Sequence, residues 1–235
     1  MAQETFKRYE KKYLINRAQY EALMLDLKDH VKGDEFKQYT ICNLYYDTPH
    51  YELIQKSIEK PYYKEKLRLR SYGPVGADGE VFLEIKKKCD GIVYKRRRRM
   101  TLSEAMDYTV NDIPLSEETQ IGNELDWFLR RYALDPKVYI AYDREAYVSK
   151  EDKRLRITFD RNIRCRETDL DLSKGTEGEM LLDDDLMIME IKIPNSMALW
   201  LVEILSKHKI YPRPFSKYGT YFKQKLTKEK KENVR

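Results

Sequence analysis

Charge and grease alternate with a period of two along segment after segment of this chain, and that period belongs to β-strands. Lys66, Arg68 and Arg70 alternate with Leu67 and Leu69, and Glu84, Lys86 and Lys88 with Leu83 and Ile85. Lys95 and Arg97 share a face on the next segment, and Arg8, Glu10 and Lys12 share one near the start. Arg144 stands between Tyr142 and Ala146; Arg156, Thr158 and Asp160 oppose Leu155, Ile157 and Phe159; Glu190 and Lys192 oppose Met189 and Ile191. Each such strand therefore has one apolar face and one charged face.

The ordinary meaning of that alternation is a sheet or sandwich with one face in water. Two features favour another arrangement. The same-face set is mostly cationic, with Glu10, Glu84, Asp160 and Glu190 as its carboxylates, although the whole chain carries only 45 basic against 40 acidic residues. Like charges also repel along and across a sheet, and such a row is tolerated best when an anion neutralises it. If the apolar faces turn outward against helices, the charged faces line a lumen. The expectation is an α+β fold: an antiparallel eight-stranded β-barrel with a basic lumen and helices packed outside. Arginine and lysine in that lumen suit a chain of phosphates, Arg by bidentate contact and Lys as a point charge.

The element pattern is consistent with this. Strands are expected over Phe6–Ile15, Tyr39–Asp47, Tyr63–Ser71, Glu80–Lys88, Ile92–Thr101, Val138–Val148, Leu155–Asp160 and Asp185–Ile193, with a last short one near Phe215–Tyr218. Helices are expected over Asn16–His30, where Asn16 and Gln19 form a capping box, around Ile121–Tyr132, and over Asn195–His208. Thr48-Pro49 offers an N-cap and first-turn proline, and Cys89-Asp90-Gly91 a tight turn. Parallel βαβ repetition is absent.

At 235 residues one domain is the better expectation, over 1–225, with 226–235 a charged tail. Three widely separated cysteines argue against a disulfide framework and for a reducing compartment. No signal peptide and no apolar run of about 18 residues is evident, so the expected location is cytoplasmic, with any membrane association through a partner chain. The run Lys95–Arg99 looks like a nucleic-acid patch, but on a strand Arg96 and Arg98 face away from Lys95 and Arg97, so no nucleic acid is expected. His30, His50 and His208 fall on helices or loops and read as packing residues.

The charged strands, taken in order, resemble the VTC domain, the polyphosphate polymerase branch of the triphosphate tunnel metalloenzymes. The matching pieces are Arg8-x-Glu10-x-Lys12-Tyr13, Asn43-Leu44-Tyr45-Tyr46-Asp47-Thr48, Lys66-x-Arg68-x-Arg70, Phe82-x-Glu84-x-Lys86 and Lys95-x-Arg97. Further on come Tyr142-Asp143-Arg144, Arg156-x-Thr158-x-Asp160, Met189-Glu190-x-Lys192 and Phe215-Ser216-Lys217-Tyr218. Arg8 and Glu10 stand where the broader superfamily has two glutamates, which favours the VTC branch over the triphosphatase branches.

The resemblance implies an enzyme that transfers the γ-phosphoryl group of ATP to a growing polyphosphate chain. It implies that Lys12, Arg68, Arg70, Lys86, Arg144, Arg156 and Lys217 grip the triphosphate as catalytic residues. Arg8, Lys66, Lys88, Lys95, Arg97, Lys192 and Ser216 are further phosphate-binding candidates. Glu190 matches the metal-binding glutamate, with Glu10 and Glu84 as additional ligands for Mn²⁺ or Mg²⁺. The alternatives are an inorganic or nucleoside triphosphatase of the same fold and a non-catalytic polyphosphate-binding subunit.

Overall fold

The computed structural model describes residues 9–90, 92–115, 119–194 and 196–232. Arg8, Gly91 and Asn195, which figure in the expectations above, lie outside the described residues.

Among the described residues the chain forms nine strands and six helices: β1 (Tyr9–Asn16), α1 (Arg17–Leu27), β2 (Val31–Asp47), α2 (Glu52–Ile58), β3 (Tyr63–Tyr72), β4 (Glu80–Cys89), β5 (Ile92–Thr101), α3 (Leu102–Val110), α4 (Gln120–Tyr132), β6 (Asp135–Ser149), β7 (Arg156–Arg166), β8 (Glu179–Met180), β9 (Leu186–Ile193), α5 (Leu199–Lys207) and α6 (Lys217–Glu232). The strands share one sheet in the order β1-β9-β7-β6-β2-β3-β4-β5, with β8 beside β7. β1 with β9, β2 with β3, β3 with β4, β4 with β5, and β7 with β8 and β9 all run antiparallel.

The expected closed barrel is corrected here: among the described residues the path is open, with β1 and β5 at its two ends. Closure requires the outer strands to exchange backbone hydrogen bonds, which side-chain alternation does not encode. Both ends are instead rich in exposed charge, Glu10 and Lys11 on β1 and Lys95, Arg96 and Arg97 on β5, a composition that resists further pairing. The second correction is at Phe215–Tyr218, which opens α6 rather than forming a strand. Tyr218, Tyr221 and Phe222 fall at helical spacing and are all buried, so packing of that stripe selects the helix.

The chain divides into two compact units. One comprises residues 1–40, 142–163 and 182–216; the other 41–141, 164–181 and 217–235. In the first, Tyr13, Ile15, Ile157, Phe159, Met189 and Ile191 from β1, β7 and β9 pack with Leu23 and Leu27 of α1 and Leu201 and Leu205 of α5. The Asn16 capping box opens α1: the Asn16 side chain accepts from the Gln19 amide at 2.8 Å and the Gln19 side chain accepts from the Asn16 amide at 3.2 Å. In the second, Leu44, Leu67, Leu69, Leu83 and Ile85 from β2, β3 and β4 pack with Leu102 and Ala105 of α3 and Leu125 and Phe128 of α4. Each fully buried Leu or Ile in these layers contributes about 1.5–3 kcal/mol over its exposed state. In both units the helices therefore cover the apolar faces of the strands, and the charged faces lie on the other side. No helix among the described residues is long and apolar enough to cross a membrane.

Two glycines are required by geometry. Gly73 ends β3 at φ 77°, a left-handed conformation. At Gly178, a Cβ would lie 2.5 Å from the Cys165 carbonyl oxygen, so only glycine lets the chain approach β7 to start β8.

Candidate functional site

The charged faces are solvated only in part: Lys86, Lys95, Arg97 and Arg156 are exposed. Glu84, Arg144, Asp160, Glu190 and Lys217 are all buried, with Asp160 fully inaccessible and Glu84 2% exposed. The charges that are taken out of water on such a face must be satisfied within it.

In the unit containing residues 41–141, the face is built from four adjacent strands. The register sets Arg70 opposite Asn43, Arg68 opposite Tyr45 and Glu84, and Glu84 opposite Arg97. Glu84 is the shared counter-ion: it accepts from Arg68 Nε at 2.9 Å, lies 2.6 Å from Lys95 Nζ and 3.9 Å from Arg70 Nε. Burial works to push its carboxyl up, but Arg68, Arg70 and Lys95 outweigh burial and hold it down at about 2. Burial lowers the Lys95 ammonium against the pull of Glu84. Arg70 Nε donates to Asn43 Oδ1 at 3.2 Å, and Asn43 Nδ2 donates to the Ile140 carbonyl, which fixes the guanidinium. Lys66 and Lys86 sit directly opposite each other, as do Lys64 and Lys88. Direct like-charge pairing of this kind is unfavourable in the absence of an anion.

Three β2 residues on this face carry no role in the sequence reading. The Tyr45 hydroxyl accepts from Arg68 Nη1 at 3.4 Å, and its ring stacks on Tyr218 with centroids 4.9 Å apart. Burial would raise the Tyr45 phenol, but Arg68, Lys217 and Arg70 bring it below its ordinary value. The Asp47 carboxylate accepts from the amides of Thr48, Leu53 and Ile54 at 2.9–3.0 Å and from the Tyr218 hydroxyl at 2.8 Å. Burial raises its pKa despite those donors. One buried carboxylate thus caps α2 and anchors α6, whose first residue is Lys217. The period-two alternation includes Asn43, Tyr45 and Asp47, so their parity was the signal available. Lys66 lies 5.9 Å above the Tyr218 ring and Arg97 5.0 Å above Phe82.

In the other unit, Arg144 makes a bidentate contact with Asp160, Nε to Oδ1 at 2.6 Å and Nη2 to Oδ2 at 2.7 Å, and reaches Glu190 Oε2 at 3.2 Å. Burial works against the Arg144 charge, but Asp160 and Glu190 hold it firmly protonated. Lys12, opposite Glu190 in the register, lies 3.1 Å from its Oε1 and 3.6 Å from Glu10. Lys192 pairs in register with both Glu10 and Arg156. Arg156 is half-exposed and bonds Asp34 at 2.7 Å, so it is less enclosed than Arg144. The Thr158 hydroxyl is buried and has no hydrogen-bond partner among the described residues.

Among the described residues no three His, Cys, Asp or Glu side chains gather as a ready-made metal cage. Glu190 and Glu10 nevertheless supply carboxylate oxygens on neighbouring strands, one buried and one accessible. That donor set fits a hard cation that completes its shell with water and phosphate oxygens. Glu84 is a further carboxylate, its oxygens engaged by Arg68 and Lys95 as those of Glu190 are by Arg144 and Lys12. Arg96 and Arg98 point to the opposite face, beside α4, where they meet Glu124 and Thr119. Ser216 directly precedes α6.

A model of the VTC domain family matches residues 7–224. No curated protein matches the chain. Among solved structures, an adenylyl cyclase candidate from Hippeastrum, described as having a dominant triphosphatase activity, aligns at TM-score 0.54 and 14% identity, covering 93% of this chain and 96% of its own. An adenylate cyclase candidate from Vibrio parahaemolyticus aligns at TM-score 0.48 and 13% identity over 93% of this chain and 99% of its own. The likeness to the Hippeastrum protein is one of fold.

Proposed function

This chain belongs to the VTC domain family, and from that premise we propose that it is a metal-dependent polyphosphate polymerase. The observation that carries the reading is the pair of strand faces rich in Arg and Lys around the buried carboxylates Glu84, Asp160 and Glu190, set opposite the helix-packed apolar faces. Arg and Lys that outnumber the carboxylates among them on a partly enclosed face are better satisfied when phosphate oxygens enter.

In the proposed reaction, an oxygen of the terminal phosphate of the acceptor chain bonds to the γ-phosphorus of ATP. The bond from that phosphorus to the β–γ bridging oxygen breaks, and its electrons leave with ADP. The residues this reading assigns to phosphate oxygens are Arg68, Arg70, Lys86, Lys217, Lys12, Arg144 and Arg156. Lys66, Lys88, Lys95, Arg97, Lys192 and Ser216 add contacts along the phosphates. The transition state spreads charge over non-bridging oxygens, so these fixed cations supply most of the rate. Glu84 orients Arg68 and Lys95, Asn43 orients Arg70, and Asp160 orients Arg144. The acceptor phosphate is already ionised near neutral pH, so no general base is required. A Mn²⁺ or Mg²⁺ ion held by Glu190 and Glu10 would neutralise charge on the phosphates.

The second reading is a triphosphatase, favoured by the fold shared with the Hippeastrum protein. The chain is incubated with ATP and Mn²⁺, and products are separated on a gel for polyphosphate and assayed for free phosphate, with Arg68→Ala, Glu190→Ala and a chelator as controls. Long chains lost in both variants and on chelation support the polymerase. Free phosphate alone moves the assignment to triphosphatase. Binding of polyphosphate without turnover leaves an accessory subunit.

A further inference from the structure

Thr158 lies mid-strand on β7, on the charged face between Arg156 and Asp160 and directly opposite Glu190 of β9. It is 7% exposed, and its hydroxyl has no hydrogen-bond partner among the described residues. Buried hydroxyls are almost always paired, because one taken out of water without a partner loses its hydration for nothing. The carboxylates on the same face are turned to cations: Asp160 binds Arg144 through both oxygens, and Glu190 is divided between Arg144 and Lys12. A valine would occupy the same volume without that cost, so packing alone does not call for threonine.

We propose that the Thr158 hydroxyl is a phosphate-binding group that donates its proton to a non-bridging oxygen of a phosphate held by Arg144 and Lys12. This rests on the phosphate-chain reading of the site and adds to it a neutral donor among cations. The role suits a hydroxyl: it turns to follow the oxygen, and it adds no charge to a face already crowded with cations. The same hydroxyl that is a liability in the protein alone becomes satisfied when the phosphate arrives.

That logic gives two readouts of opposite sign. Thr158→Val removes the hydroxyl and keeps the shape. Without phosphate its melting temperature should equal or exceed that of the wild type, while its affinity for tripolyphosphate, measured by calorimetry, should fall roughly tenfold, as for loss of a hydrogen bond to a charged group. Thr158→Ser, which keeps the hydroxyl, should bind within about threefold of wild type on the same basis. A Thr158→Val protein that melts several degrees lower reveals a structural partner and overturns the proposal. So does one that binds tripolyphosphate as tightly as wild type. Wild-type protein that binds no tripolyphosphate removes the phosphate reading itself and this role with it, an outcome distinct from failure at Thr158 alone.

Discussion

Replacing Glu84 with Gln tests whether one carboxylate holds the Arg68–Arg70–Lys95 cluster together. The side chain is 2% exposed, and its carboxyl is held at about 2 against an ordinary 4.5. At about 1.4 kcal/mol per pH unit, that difference corresponds to about 3 kcal/mol of stability at neutral pH. The folded-state value is the depressed one. The contribution is therefore complete above the unfolded value near 4.5 and disappears as pH falls toward 2. Glu84→Gln keeps size and some hydrogen bonding but leaves the cations facing one another, so the loss expected at pH 7 is about 2–4 kcal/mol. Urea unfolding followed by circular dichroism at a series of pH values between 7 and 3 reads both quantities. The gap between the two proteins should be widest at pH 7 and narrow steadily below pH 5. Tripolyphosphate, by supplying anionic oxygens to the same cations, should recover part of the loss. A gap that is absent at pH 7, or that keeps its size down to pH 3, refutes the shared counter-ion.

Two further perturbations probe the other anchors. Arg144→Ala removes the bidentate partner of buried Asp160 and takes a partner from Glu190, so it should cost about 3–5 kcal/mol in chemical unfolding, more than loss of a surface arginine. Asp47→Ala removes the acceptor of three amides and the Tyr218 hydroxyl, and should cost about 2–4 kcal/mol, with faster hydrogen exchange at the Leu53 and Ile54 amides.

The parity of the strands was readable because a period of two is local: Leu67, Leu69, Leu83 and Ile85 lie in the apolar layer, and Arg68, Arg70 and Glu84 on the face away from it. The Asn16–Gln19 capping box was readable for the same reason. Helix α3 was not anticipated, although Thr101 and Glu104 form a capping box; it follows β5 without a linker, and a strand ending in its own helix N-cap gives no gap to notice. Strand closure was not readable because it concerns backbone groups of residues far apart in sequence. The Arg144–Asp160 pair and the orphaned Thr158 hydroxyl were hidden for a related reason: same-face residues are visible in a sequence, but which charge takes which partner is set by register between strands.

The sharing of counter-ions limits how this protein can be re-engineered. Glu84 serves cations on two neighbouring strands, and Arg144 serves two carboxylates from two others. Swapping any one of them for a residue of different charge upsets several partners at once. A redesign for a ligand other than a polyanion would therefore have to exchange whole groups of residues together, whereas helix-facing positions such as Ile157 or Leu205 can be varied one at a time within the limits of volume.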